Sequence, residues 1–138
     1  MVVVDGTNMI FGRISSQIAK AVLRGDTIHL INSEMMVLSG NPKATHANFK
    51  ARRAAQHKGT PEHSPKWPRV PYLLVKRMIR GMLPWKSTRG KAAHRRLIVY
   101  TGNPKKLVAD SKFEKCEPKK GSKYIRILDL CRLIGYSG

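Results

Sequence analysis

Eight carboxylates and five histidines are the side chains of this 138-residue chain best suited to acid–base or metal chemistry. The acids are Asp5, Asp26, Glu34, Glu62, Asp110, Glu114, Glu117 and Asp129, and no two stand at a spacing that suggests a catalytic pair. His29, His46, His57, His63 and His94 form neither HxxxH nor HExxH, the spacings that set ligands on one helical face. Asp5, ending an apolar run, suits a capping or turn role better than a catalytic one. No serine sits in GxSxG. The first turn, DGTNMIFGR, has Gly6 and Gly12 but neither GxGxxG nor the Walker spacing, so no nucleotide cradle is expected. Arg13, near the start of a helix there, would meet a single phosphate. Cys116 and Cys131 lack CxxC spacing and read as two reduced thiols. Cofactors, metals and a small-molecule substrate are all expected to be absent.

Cationic side chains remain as the chemistry. Lys and Arg number 27 against 8 acids, a formal net charge of +19. Fifteen of them fall between residues 41 and 96, where Glu62 is the one acid. Such self-repulsion calls for a polyanion, with nucleic acid first and an anionic membrane surface second. No apolar run approaches the roughly 20 residues of a spanning helix, and the opening MVVVDG lacks a basic n-region, so neither insertion nor secretion is expected. RGMLPWKSTRG (80–90) shows the problem in miniature. Arg80, Lys86 and Arg89 have no acid nearby in sequence, and phosphates would supply the missing partner. Gly81 and Gly90 would permit close backbone approach or positive φ. Met82 and Leu83 read as core. Trp67 reads as a packing anchor, whereas Trp85 either anchors a loop or stacks on an unpaired base. No base-binding pocket is expected.

A scaffold must hold these charges. VVVD (2–5) suits a buried strand, and Ile14, Ile18, Ala21 and Val22 share one face of a helix over 12–25 that stops at Gly25. TIHLI (27–31) is a second strand, completing a βαβ unit. MMVLSG (35–40) is a short strand or an extended turn. Ala44–Gln56 reads as a basic helix, and four prolines over 57–71 predict an extended arm. After Pro71, Val75, Met78, Ile79 and Met82 predict a helical face, with the helix ended by Pro84. RLIVYTG (96–102) is a strand and turn, 103–122 a Lys-rich surface loop, KYIRI (123–127) a strand, and LDLCRLIG a helix stopped by Gly135. The expected architecture is one α/β domain over 1–138: a three-layer α/β/α arrangement on a mainly parallel four-stranded sheet. Residues 1–40 and 96–138 form its scaffold, and 41–96 a basic RNA-facing insertion.

DGTNMIFGRISSQIAKAVLRGD, VLSGN, RMIRGMLPWKSTRG and RLIVYTGNP occur in that order, followed by KYIRILDLCRLIGY. Together they resemble the universal large-subunit ribosomal protein thirteen family, in its archaeal and eukaryotic form. The resemblance implies a Rossmann-like domain without a nucleotide. It implies a non-enzymatic, cytoplasmic role in the ribosome: binding large-subunit ribosomal RNA beside neighbouring ribosomal proteins, during assembly and afterwards. The family's basic loop maps onto Arg77, Arg80, Lys86, Arg89, Lys91, Arg95 and Arg96. Charge alone adds Lys50, Arg52, Arg53, Lys58, Lys66 and Arg69. An RNA-modifying or nucleotide-dependent enzyme, and a free regulator of messenger RNA, are the alternatives. Cofactor binding would mark the first, and a large pool outside ribosomes the second.

Overall fold

The computed structural model describes residues 1–110 and 116–138. In chain order the elements are β1 (Val2–Asp5), α1 (Phe11–Arg24), β2 (Ile28–Ile31), β3 (Val37–Ser39), α2 (Pro42–Ala54), α3 (Pro71–Arg80), α4 (Thr88–Arg95), β4 (Leu97–Val99), β5 (Tyr124–Arg126) and α5 (Ile127–Leu133). β1, β2 and β4 form a parallel sheet with β2 at the centre, in the register Val4–Leu30–Val99. All four residues of β2 are buried, as expected of a central parallel strand covered on both faces.

The expected fourth parallel strand is corrected. β5 pairs with β3 instead, antiparallel, with Val37 opposite Arg126 and Ser39 opposite Tyr124. A parallel addition needs a crossover, usually a helix, and no helix separates β4 from β5 among the described residues. In Tyr124-Ile125-Arg126 only the middle residue is buried, the alternation of a strand covered on one face. The Lys-rich segment expected as a loop over 103–122 includes 111–115, which lie outside the described residues.

One core holds the domain. Ile14, Ile18 and Val22 of α1, Leu74, Val75 and Ile79 of α3, and Ile127, Leu130 and Cys131 of α5 pack with Val4, Ile28, Leu30, Leu97 and Val99 of the sheet. α1 carries the expected stripe, and Gly25 ends it at φ 118°, where a side chain would be strained. α2 begins at Pro42, earlier than expected, because Asn41 caps it by accepting from the Lys43 amide. It buries only Phe49, so it rides on the core by one ring. α3 starts at Pro71 as expected, but its buried face runs through Leu74, Val75 and Ile79, so residues 71–80 belong to the core as well as to the basic segment.

Candidate nucleic-acid interface

Amphipathy sets the first part of the surface. Leu74, Val75 and Ile79 face inward, which leaves Lys76, Arg77 and Arg80 half-buried on the outer side of α3. The chain then turns, with the Met82 and Leu83 amides donating to the Ile79 and Arg80 carbonyls. Leu83 is buried and pins the turn, as expected. Met82 is 41% exposed, which corrects its assignment to the core.

The expected basic loop after Pro84 is in fact a helix, α4. Its apolar signal is too weak to read, since only Gly90 and Ala93 are buried. The visible cue is the cap: Ser87 Oγ accepts from the Gly90 amide and donates to the Pro84 carbonyl. Neither Gly81 nor Gly90 adopts positive φ. Gly90 lies so close to Pro84 that a Cβ would sit 2.0 Å from the Pro84 carbonyl oxygen. Arg89 and Lys91 thus project from a helix, and Arg95 ends it.

Two of the expected contact residues bond back to α1. Arg89 Nη2 donates to the Leu23 carbonyl at 3.4 Å and Arg96 Nη1 to the Val22 carbonyl at 3.5 Å. Both bonds are long, and both bring a cation to the negative end of α1. Lys86, Lys91 and Arg95 are exposed and make no such contact among the described residues.

The proline-rich arm is pinned by arginines. Arg53 donates to the Trp67 carbonyl and Arg77 to the Lys66 carbonyl. Trp67 packs edge-on against Phe49, with the Arg77 guanidinium 4.5 Å and that of Arg52 5.2 Å from its ring centre. This is the packing role expected of Trp67. Trp85, 40% exposed, stands edge-on to His94 under the Arg80 guanidinium at 4.9 Å. Between arm and α3 lies a cleft of about 410 Å³, bordered by Trp67, Leu73, Lys76, Arg77, Arg80 and His94. A second hollow, of about 710 Å³, borders the same Lys66–Trp67 segment together with Arg53 and Lys58.

The remaining candidates lie apart. Arg13, in the first turn of α1, is exposed. It stands nine residues before the Val22 carbonyl that Arg96 reaches, roughly 14 Å along the axis. Arg69 reaches the turn after α5: its guanidinium would lie 3.5 Å from a Cβ on Gly135. Lys50 is exposed on α2 near Leu133 and Ile134. Lys76 and His94 were not among the expected contact residues, yet both border the cleft. The spacing of Lys76 four residues before Arg80 on one helix was the available cue.

Electrostatics explains why the charge persists. Among the described residues no Lys or Arg forms an ion pair with a carboxylate. Several acids serve the backbone and polar side chains instead. Asp5 Oδ1 accepts from the Thr7 amide, the Thr7 hydroxyl and Asn32. Burial pushes its carboxyl up, but the bonds from Asn32 and Thr7 outweigh it and leave it below its ordinary value. Asp5 is therefore a turn residue, as expected. Glu34 accepts from the Gly102 amide and Asp110 from the Val3 amide. Burial pushes the Cys131 thiol up to about 12, which leaves it unreactive. Among the described residues no cluster of His, Cys, Asp or Glu is suited to a metal ion, and no helix is long and apolar enough to cross a membrane.

Burial, then the charges of Lys76 and Arg80, hold the His94 imidazole below its ordinary value, partly opposed by a backbone hydrogen bond at Lys76. Burial, Lys105 and the N-terminus do the same to His29. The unfolded chain therefore binds protons at these histidines near pH 6.5, before the folded chain does. Their contribution is complete above about pH 6.5 and declines as pH falls below it. Thermal melts from about pH 7 to about pH 5.5 should show this decline, and His94→Gln should flatten it. An identical pH slope in that variant would remove His94 from the account.

The family model described as Ribosomal protein L13 matches residues 1–106. A protein of Archaeoglobus fulgidus named large ribosomal subunit protein uL13 is 38% identical over 142 residues, covering 99% of this chain and 88% of its own length. Its namesake from Methanocaldococcus jannaschii is 38% identical over 136 residues, covering 98% of each chain. That of Methanococcoides burtonii is 37% identical over 140 residues, again covering 98% of each. With three quarters of the chain matched by one family model and archaeal relatives aligned over nearly all of it, the chain belongs to the ribosomal protein L13 family, in its archaeal and eukaryotic form.

Proposed function

We propose that this chain is a structural, non-enzymatic constituent of the large ribosomal subunit, binding and stabilising large-subunit ribosomal RNA during assembly and in the mature, cytoplasmic ribosome. In this reading residues 1–40 and 96–138 form a Rossmann-like scaffold that carries no nucleotide, and 41–96 present the basic face. Neighbouring large-subunit proteins complete the surroundings. One observation carries the reading: no described Lys or Arg is neutralised by a carboxylate, in a chain of net charge +19. Phosphates are the partner such a surface lacks.

The mechanism is displacement of counterions. Lys86, Lys91, Arg95 and Lys66, exposed and unpaired within the described residues, are free to meet phosphates without losing an internal bond. Arg77, Arg80, Arg52 and Arg53 meet RNA from fixed positions, because indole faces and backbone carbonyls already hold them. Arg89 and Arg96 present what their bonds to α1 leave free. Arg13, Lys50, Lys58 and Arg69 extend the contact beyond α3 and α4. Shape and backbone, rather than base sequence, dominate such recognition.

If about ten phosphates are neutralised, log K for cognate RNA should fall against log salt with a slope of roughly −7 to −9. A slope near zero would refute the electrostatic mechanism. Sucrose-gradient sedimentation gives the cellular arm, in which the chain should travel with large subunits through a moderate-salt wash. A predominant free pool would favour a regulator acting outside ribosomes.

A further inference from the structure

The cleft between the arm and α3 is built differently from the rest of the basic face. Its lining includes the apolar Pro68 and Leu73, the latter 40% exposed on α3. Lys66, Lys76, Arg77 and Arg80 also line it, and no acid borders it. Two arginines one helical turn apart each lie over an indole, Arg77 on Trp67 and Arg80 on Trp85. We infer that this cleft holds one unstacked nucleotide of the bound RNA, its base against Leu73, Pro68 and the Arg77 plane and its phosphate among Lys66, Lys76 and Arg80. The inference rests on the RNA-binding reading above and adds to it a single-nucleotide subsite.

Size, charge and rigidity point to that occupant. A volume of about 410 Å³ falls within the roughly 300–1,000 Å³ of sites that enclose one small ligand, and no RNA helix fits it. A phosphate alone gains nothing from Leu73 and Pro68. An apolar peptide would cover four cations and supply no counter-charge, at a high desolvation cost. A nucleotide satisfies both halves, since unpaired bases stack on aromatic rings and on guanidinium planes. The walls are set before binding: Arg77 is held by the Lys66 carbonyl and by the Trp67 ring, and Arg53 holds the Trp67 carbonyl. Little ordering remains to be done when the base arrives.

The test uses the full chain and two RNA hairpins, identical except that one carries a single bulged 2-aminopurine nucleotide. The bulged hairpin should bind about tenfold more tightly at equal salt, the gain of stacking one base, and its fluorescence should change on binding. Leu73→Glu, which removes an apolar lining residue, should abolish that preference and change affinity for the paired hairpin by less than about threefold. Tyr72→Glu makes the same charge change on the adjacent exposed residue, outside the cleft lining, and should keep the preference. Equal, salt-dependent affinity of the unaltered chain for both hairpins overturns the subsite and leaves the RNA interface standing. Absence of salt-dependent binding to either overturns both. In assembled large subunits, ultraviolet crosslinking should join a base to residues 66–77. A crosslink from that segment to another protein in its place would assign the cleft to a protein neighbour and overturn the inference.

Discussion

Gly90→Ala is expected to destabilise the fold by about 3 kcal/mol, the upper part of the range for forcing atoms into a packed site. The added Cβ would lie 2.0 Å from the Pro84 carbonyl oxygen and 2.5 Å from its carbon, both backbone atoms that no rotamer change can move. Relief requires α4 to lift off the turn. That would break the bonds in which Ser87 joins Pro84 to the Gly90 amide, and shift Arg89 away from the Leu23 carbonyl. The thermal midpoint should fall by on the order of 10 °C. Gly12→Ala supplies the contrast. Gly12 lies in α1, where an added methyl would meet nothing within 4 Å and φ is not positive, so alanine there should raise stability by up to about 1 kcal/mol. Equal melting temperatures for Gly90→Ala and the unaltered chain would disprove the close approach of α4 to Pro84.

Lys86→Glu combined with Lys91→Glu should weaken binding to cognate RNA by about 100-fold while stability moves by no more than about 0.5 kcal/mol. Both lysines are exposed, and among the described residues neither side chain makes a hydrogen bond or ion pair. Their reversal therefore alters the surface field and leaves the packing alone. Arg80→Glu with Arg89→Glu is a less clean experiment. It would remove the guanidinium from Trp85 and set a carboxylate near the carbonyl end of α1, so loss of binding would be mixed with loss of fold. Filter binding at several salt concentrations, beside thermal melts, reads both quantities. Unchanged affinity in the lysine double variant would move the RNA surface away from α4 and its preceding turn.

These pairs show how differently the charges and the geometry were legible. Residue type alone identifies Lys86 and Lys91 as solvent-facing cations with no acid near them in sequence. Nothing in residue type distinguishes Arg89, which reaches back 66 positions to Leu23, from Lys91, whose side chain makes no hydrogen bond or ion pair among the described residues. Such a contact requires α1 and α4 to pack side by side, and α4 itself carried too few apolar residues to announce a helix.

The elements with strong patterns were readable because their information is local. The α1 stripe ends at Gly25, α3 begins at Pro71, and β1 opens with three consecutive valines. Each follows from periodicity or from the φ preferences of one residue. The excess of positive charge over 41–96, and with it the need for a polyanion, is equally a property of composition. Only the tertiary structure decided that β5 turns antiparallel against β3, that Gly90 lies under Pro84, and that arm and α3 border an open cleft beside Arg77 and Arg80. Each of those features joins segments through space, and its energy depends on distances that a one-dimensional pattern does not contain.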